Sequence, residues 1–288
     1  MKKSLLFSLP LFITACNHGQ QAPESTELNV CSFNIRYDNS NDGLNRWSNR
    51  KDAAAGMIRF YDLDVVGTQE VLHHQLQDLM TSLPAYASVG VGREDGLEKG
   101  EYSALLYKKD KFDLVSSGNF WLSETPQEAG SKGWDAACER IVTWAALRDK
   151  KSDKLFYAFN THFDHEGQTA RSESVALLLN SIDSIAGNHP VFVTGDFNAE
   201  PTSSVILGMT DAANPIAVKD SRAQSSVAFG PAWTFHDFGR LPMERREIID
   251  YIFVKNNVAV NRYGIVNAQL DSMYLTDHNP VLVNISLK

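Results

Sequence analysis

From residue 28 onward the chain alternates short apolar runs, several of them rich in β-branched residues, with stretches whose apolar positions repeat at helical spacing. The runs at 28–35, 65–68, 103–107, 143–148, 156–161, 191–194, 249–254 and 281–286 have the length and composition of strands. Between them, residues 50–61 place Ala54, Met57, Ile58 and Tyr61 on one stripe, and residues 170–185 repeat Val175, Leu178, Leu179 and Ile182, so both are predicted helices. Strands interleaved with helices, without a low-complexity linker or internal repeat, predict a single α/β domain over residues 28–288 with mixed sheets.

The first residues follow a different pattern. Lys2 and Lys3 precede an apolar stretch from Leu5 to Ala15, broken only by Ser8, Pro10 and Thr14. That is the shape of a secretory signal, and it is far shorter than the ~20 residues of a membrane-spanning helix. Phe12, Ile13, Thr14 and Ala15 lead into Cys16, and this run resembles a bacterial lipobox. The resemblance implies cleavage after residue 15, acylation of Cys16, and an extracytoplasmic protein anchored to a bacterial membrane; the alternative is an ordinary signal peptide followed by a chance cysteine. Residues 16–27, rich in Gln, Pro, Ser and Glu, then form a flexible tether.

Charge narrows the partners. The 27 basic against 35 acidic side chains give a formal charge of -8, and an acidic surface repels polyphosphate backbones. Lys108-Lys109-Asp110-Lys111 and Lys150-Lys151 read as solvated turns rather than a binding stripe. A stripe assembled from Arg46, Arg50, Arg59, Arg140 and Arg171 would restore nucleic acid as a partner. Three cysteines exclude a disulfide framework, and Cys31 and Cys138 are expected to be free, mostly buried thiols in a monomer.

Candidate chemistry recurs at the ends of the apolar strands, where loops carry sites. Asn34 and Arg36 share a face if 32–36 is extended. Glu70 follows the strand at 65–68 and serves either as a metal-binding carboxylate or as an acid at the start of a helix near 72–83. Asn160-Thr161-His162 ends another strand and supplies an imidazole suited to proton transfer or phosphate contact. Asp196 and Asn198, two apart, project the same way from an extended turn and can position a water. Asp250 lies in an apolar strand and requires a partner, because an unpaired buried carboxylate is costly. Asp277 and His278 put a carboxylate and an imidazole side by side, with Pro280 holding Asn279 out of helical geometry.

Asn34, Thr68-Gln69-Glu70, Asn160-Thr161-His162, Gly195-Asp196-Phe197-Asn198, Asp250 and Asp277-His278, in this order along nearly the whole chain, resemble the endonuclease/exonuclease/phosphatase superfamily. The resemblance implies a four-layered α/β sandwich of two packed mixed β-sheets flanked by helices, a divalent cation (Mg²⁺ or Mn²⁺), and direct attack of water on phosphorus. It assigns Glu70 and Asn34 to the metal, Asp277 to the metal or to His278, and Asp196 and Asn198 to the water. His162, His278, Arg36, Asn160 and Arg140 fall to the phosphate, with Asp250 supporting one of these groups. Glu101 resembles the glutamate that pairs with the first histidine in the deoxyribonuclease I branch; for Arg140 a surface ion pair is the alternative.

Substrate identity lies in the loops at 38–47, 123–138 and 224–246, in or beside which Trp47, Trp121, Trp134 and Trp233 are placed either to stack on a ligand or to pack in the core. A small or lipid-derived extracytoplasmic phosphoester is the leading expectation. A surface nuclease comes second, and a non-catalytic binding lipoprotein on the same fold third.

Overall fold

The computed structural model describes residues 26–267 and 269–288. The leader, Cys16 and most of the expected tether lie outside the described residues. In chain order the elements are β1 (Thr26–Asn34), α1 (Trp47–Phe60), β2 (Val65–Gln69), α2 (His73–Ser82), β3 (Tyr86–Val89), β4 (Leu105–Lys108), β5 (Phe112–Trp121), β6 (Ile141–Asp149) and β7 (Leu155–His162). There follow α3 (Gln168–Ala186), β8 (Val191–Asp196), α4 (Ser204–Met209), β9 (Lys219–Asp220), α5 (Ser221–Gln224), β10 (Ala228–Phe229), β11 (Asp250–Lys255), β12 (Val258–Ile265), β13 (Gln269–Leu270), β14 (Met273–Tyr274) and β15 (Val281–Leu287). No helix among the described residues is long and apolar enough to cross a membrane.

Two mixed sheets form the centre. One runs β10-β12-β15-β1-β2-β4-β3 and the other β5-β6-β7-β8-β11-β9. Three apolar layers separate the elements. Leu28, Val30, Phe156, Phe192 and Ile285 pack sheet against sheet. Phe33, Ala54, Ile58 and Leu79 pack α1 and α2 on the first sheet, and Val175, Leu178, Ile182 and Phe253 pack α3 on the second. The result is the expected four-layered sandwich, and the helical stripes at Ala54/Met57/Ile58 and Val175/Leu178/Leu179/Ile182 are the faces that bury.

All eight predicted strands exist, with ends shifted by a few residues. β1 begins at Thr26 because Thr26 and Glu27 already pair with Leu287 and Ser286, so the last two residues of the expected tether belong to the sheet. Seven strands have no counterpart in the apolar pattern: four have only two residues each, and the other three were missed for physical reasons. β5 is a sheet edge whose middle faces solvent, β12 is mostly half-buried and carries a bulge between Val260 and Arg262, and β3 has four residues.

The sheets meet closely beneath the site. Asn160, expected to contact phosphate, is fully buried there instead: its Nδ2 donates to the carbonyls of Thr68 (2.8 Å) and Ala104 (3.0 Å), and its Oδ1 accepts from Gln69 Nε2 (2.6 Å) and Thr194 Oγ1 (2.9 Å). Every hydrogen-bonding capacity of the amide is used in tying β7 to β2 and β4, so Asn160 is a link between the sheets. Gly67 makes the approach possible, because a Cβ at that position would overlap Thr194 Oγ1 and Asn160 Oδ1. Replacing Asn160 by Ala leaves the Thr68 carbonyl and the Gln69 amide without their shortest partners, at a cost of about 3 kcal/mol. Chemical denaturation is expected to show that loss for Asn160→Ala, and a lowered midpoint for Gly67→Ala.

Candidate active site

Strand direction gathers the polar residues. The C-terminal ends of β1, β2, β7 and β8 and the N-terminal ends of β11 and β15 lie on one side of the sandwich. Pairing places His162 opposite Asp196 and Asp196 opposite Asp250 in one sheet, and Asn34 opposite Gln69 in the other. Glu70, Asp277 and His278 follow or precede these strands by a few residues.

Asn34 joins the two sheets at this edge. Its Nδ2 donates to Glu70 Oε1 and to Asp196 Oδ2, both at 3.0 Å, while its Oδ1 accepts from the Arg36 amide at 2.9 Å. Glu70 Oε2 accepts from the Tyr37 amide at 3.1 Å. Burial works against the Glu70 charge, but His278, Asn34 and Arg36 outweigh it and hold the carboxyl below its ordinary value. Asp196 goes the other way: burial first, then the neighbouring Asp250 charge, raises it to about 7. Two carboxylates a few ångströms apart therefore have opposite proton affinities, the arrangement by which acid and base roles are separated.

The imidazoles differ as well. His278 Nδ1 bonds Asp250 Oδ2 at 2.8 Å, and its Nε2 lies 3.8 Å from Asp196 Oδ2. Burial disfavours its cation, yet Asp250 and Asp196 overcome this and raise its pKa well above the ordinary value. The carboxylate that orients His278 is thus Asp250. Asp277, its sequence neighbour and the expected partner, is directed to Arg36, 3.6 Å from Oδ2 to Nε, and burial raises it to about 6. His162 is lowered well below the ordinary value by burial and by Arg140 and Arg93, so it is neutral. Its Nε2 meets Asn198 Nδ2 at 3.0 Å, and its Nδ1 is buried without a hydrogen-bond partner among the described residues.

Glu101, expected to pair with His162, holds Arg93 instead, through Arg93 Nη1 to Oε2 at 2.7 Å and Nη2 to Oε1 at 3.0 Å. Arg140 is buried, so the surface-ion-pair alternative fails. Its Nε donates to Asp164 at 3.2 Å, its Nη2 meets His165 Nδ1 at 2.8 Å, and its Nη1 is buried without a partner among the described residues. Two local geometries also differ from the extended segments expected. Arg36 has φ 59° and turns back so that its Nε donates to Asp42 at 3.2 Å; Asn198 has φ 46° and donates its amide to Asp196 Oδ1 at 3.0 Å. With Glu70 at φ 60°, three non-glycine residues of the site sit in the left-handed region. Each such residue costs about 1 kcal/mol or more and persists only where its surroundings enforce it.

Around Arg36 and Glu70 two buried residues supply that enforcement, and neither was a site candidate in the sequence. Arg50 donates to the carbonyls of Ile35, Arg36 (2.8 Å), Asn45 (2.6 Å) and Leu275 (3.3 Å). Gln75 accepts from the Asp38 amide at 3.0 Å and donates to the Arg36 carbonyl at 3.0 Å. Both sit in helices where a polar residue normally reads as solvent-facing. A third, Asp164, positions Arg140; it stands two residues after His162 and is the only signal that a sequence reading had.

Arg36, Glu70, Glu101, Arg140, His162, Asp196, Asn198, Asp277 and His278 line one cleft of about 430 Å³, together with Tyr37, Arg93, Cys138, His165, Phe235, Asp237 and Ile249. None of the four tryptophans of the loops lines it, and Trp47 and Trp121 are core residues. Cys31 and Cys138 are both free thiols. Ligand atoms of Glu70, His162 and Asp196 lie within 4.8 Å of one another, as do those of Asp196, Asp250 and His278. The second group is already bonded internally. The first opens on the cleft, where Glu70 offers a hard carboxylate oxygen of the kind that holds Mg²⁺ or Mn²⁺ together with waters, with Asp196 close by. A cation there would also relieve the crowding that raises Asp196, so the residues fit a divalent metal.

Known proteins share this fold. The chain superimposes on an endonuclease/exonuclease/phosphatase structure from Bacteroides vulgatus with a TM-score of 0.88 at 45% identity, covering 91% of this chain and 100% of that one. It superimposes on a mannosyl-6-phosphatase from Bacteroides thetaiotaomicron with a TM-score of 0.84 at 36% identity, covering 90% and 99%. Drosophila melanogaster Nocturnin is 26% identical over 209 residues, and an uncharacterised protein of Acanthamoeba polyphaga mimivirus 29% over 163. The chain spans 31% and 60% of the lengths of those two. The family model described as Endonuclease/Exonuclease/phosphatase family matches residues 31–278, and with the fold and the ordered strand-end residues in agreement, the chain belongs to that family of hydrolases.

Proposed function

We propose that this protein is a divalent-metal-dependent phosphoesterase that cleaves a small phosphoester outside the bacterial cytoplasm, anchored to a membrane through Cys16. The observation that carries the reading is the convergence of Glu70, Asp196, His162 and His278 on one cleft. Small substrates, sugar phosphates among them, are favoured over nucleic acid on two grounds. A mannosyl-6-phosphatase matches at 36% identity over nearly its full length. The five arginines of the expected basic stripe also do not form one exposed row: Arg50 and Arg140 are buried, Arg59 donates to Ser82 O and Arg171 to Asp164 O, and Arg46 alone is left exposed without such a role. A lipid-derived phosphoester remains within the class. A non-catalytic lipoprotein is disfavoured because every acid and imidazole of the site is present and oriented.

Glu70, with Asn34 and Asp277 near it, would hold a Mg²⁺ or Mn²⁺ ion, which supplies positive charge to the phosphoryl oxygens and the leaving group. Asp196 is the proton acceptor for water, because it lines the cleft beside Glu70 and the two imidazoles and the Asn198 backbone amide fixes one of its oxygens. His278, kept cationic by Asp250, donates to the charge that develops on phosphorus. Arg140 lines the same cleft, and its unpartnered Nη1 gives the substrate a further donor.

Two outcomes test this. The soluble form lacking residues 1–25 is expected to hydrolyse phosphomonoesters or small diesters faster than DNA or RNA, with activity removed by chelator; Asp196→Asn should lower turnover by several orders of magnitude while leaving the circular dichroism of the fold intact. Stability gives an independent check. A carboxyl raised to about 7 on folding stabilises the native state while protonated, and that contribution is lost as pH rises through its folded value. His278, also raised, acts in the same direction at higher pH. The lowered His162 and His236 act in the opposite direction below about pH 6.5, so the test is a difference: in chelator, the urea midpoint of the unmodified protein relative to Asp196→Asn is expected to fall between about pH 4 and 7; a difference that stays constant over this interval would contradict the assignment.

A further inference from the structure

We infer that the Arg93–Glu101 pair reads hydroxyl groups on the leaving alcohol, so that the preferred substrate is the phosphomonoester of a polyhydroxylated alcohol such as a sugar. The inference rests on the phosphoesterase reading above and adds to it the element that selects the substrate.

Both side chains line the cleft that holds Glu70, Asp196 and the two imidazoles, and both are mostly buried, with 12% and 18% of their side chains exposed. The loop that carries them does not need the pair in order to close. Backbone bonds from Gly92 to Leu97 (2.9 Å), Arg93 to Glu101 (3.1 Å) and Glu94 to Lys99 (3.1 Å) already hold it, and Asp95 Oδ1 caps the amides of Leu97 and Lys99. Trp121 Nε1 fixes the loop to the second sheet through the Arg93 carbonyl at 2.6 Å. Nor does Glu101 orient the site's imidazole, since its oxygens are taken by Arg93 rather than by His162. A largely desolvated ion pair is expensive where apolar residues would pack as well, so its presence in a cleft wall points to a ligand.

The geometry of the pair indicates which ligand. End-on contact through Nη1 and Nη2 uses one lone pair on each Glu101 oxygen and leaves another on each. Arg93 keeps further N–H groups, and its Nε is buried without a partner among the described residues. A rigid row of charged acceptors beside charged donors complements hydroxyls, each of which donates and accepts. It does not complement a second phosphate, which Glu101 would repel. A cleft of about 430 Å³ has room for a small alcohol, and Phe235 and Ile249 among its lining residues supply apolar surface for a sugar ring.

The test compares a hexose 6-phosphate with phenyl phosphate, whose leaving group has no free hydroxyl, using the soluble protein with Mg²⁺ and its Glu101→Gln and Arg93→Met variants. The expected result is that the ratio of kcat/KM for the hexose phosphate to that for phenyl phosphate falls about ten- to a hundredfold in Glu101→Gln, chiefly through KM, as for loss of a hydrogen bond to a charged group. Arg93→Met should lower the same ratio. An unchanged ratio, whether both substrates are lost equally or neither is affected, would assign the pair a structural role and overturn the inference alone. No turnover of either substrate by the unmodified protein with Mg²⁺ or Mn²⁺ would overturn the phosphoesterase reading and this inference together.

Discussion

One amide nitrogen of Asn34 donates to two carboxylates that come from different sheets, Glu70 at the end of β2 and Asp196 at the end of β8. The rest of the site is arranged around the fact that these negative groups are buried together. Like charges in a low-dielectric seam repel strongly, and the seam stays closed because donors and a raised proton affinity absorb the excess. Asn34 and the Tyr37 amide neutralise Glu70, Asp250 is matched by cationic His278, and Asp196 holds a proton up to about 7. The same conflict that makes the metal-free cleft tense makes it receptive to a divalent cation.

Keeping those groups in place falls to residues that touch no substrate. Asn160 and Gly67 set how closely the sheets approach beneath the cleft. Arg50 and Gln75 bind the carbonyls and amides of the segment after β1, which allows Arg36 and Glu70 to sit in left-handed backbone conformations and turn toward the centre. Asp164 does the same for Arg140, accepting from its Nε and from the amides of Cys138, Glu166 and Gly167. Catalytic geometry here is a property of the packed edge of a sandwich more than of any single loop.

Much of this was legible in the amino-acid sequence. Strand-like runs ending in Glu70, His162 and Asp196 located both the elements and the reactive edge, because a strand that buries its apolar residues must present its terminal polar residue to the same rim as its parallel neighbour. What could not be read was pairing across the chain. Asp277 adjoins His278 in sequence, but the partner of that imidazole is Asp250, 28 residues away, since the backbone after β14 points Asp277 at Arg36. Asn160 looked like a phosphate ligand because its motif lies beside His162; alternation along β7 puts both on the face toward the other sheet, but Asn160 sits one step deeper, where β2 covers that face. Glu101 and Arg93 are eight residues apart, and only the closed loop between them shows that they face each other. Edge strands such as β5 were invisible because solvent on their middle residues erases the apolar pattern.

The most direct test of the central claim, that Glu70 anchors a divalent-metal site beside Asp196 at the reactive edge, is a calorimetric titration of the metal-free protein with Mn²⁺, compared with Glu70→Gln. A single site in the native protein that is lost or greatly weakened in Glu70→Gln is the predicted result. Equal binding by both proteins, or no binding by either at millimolar Mn²⁺, would contradict it.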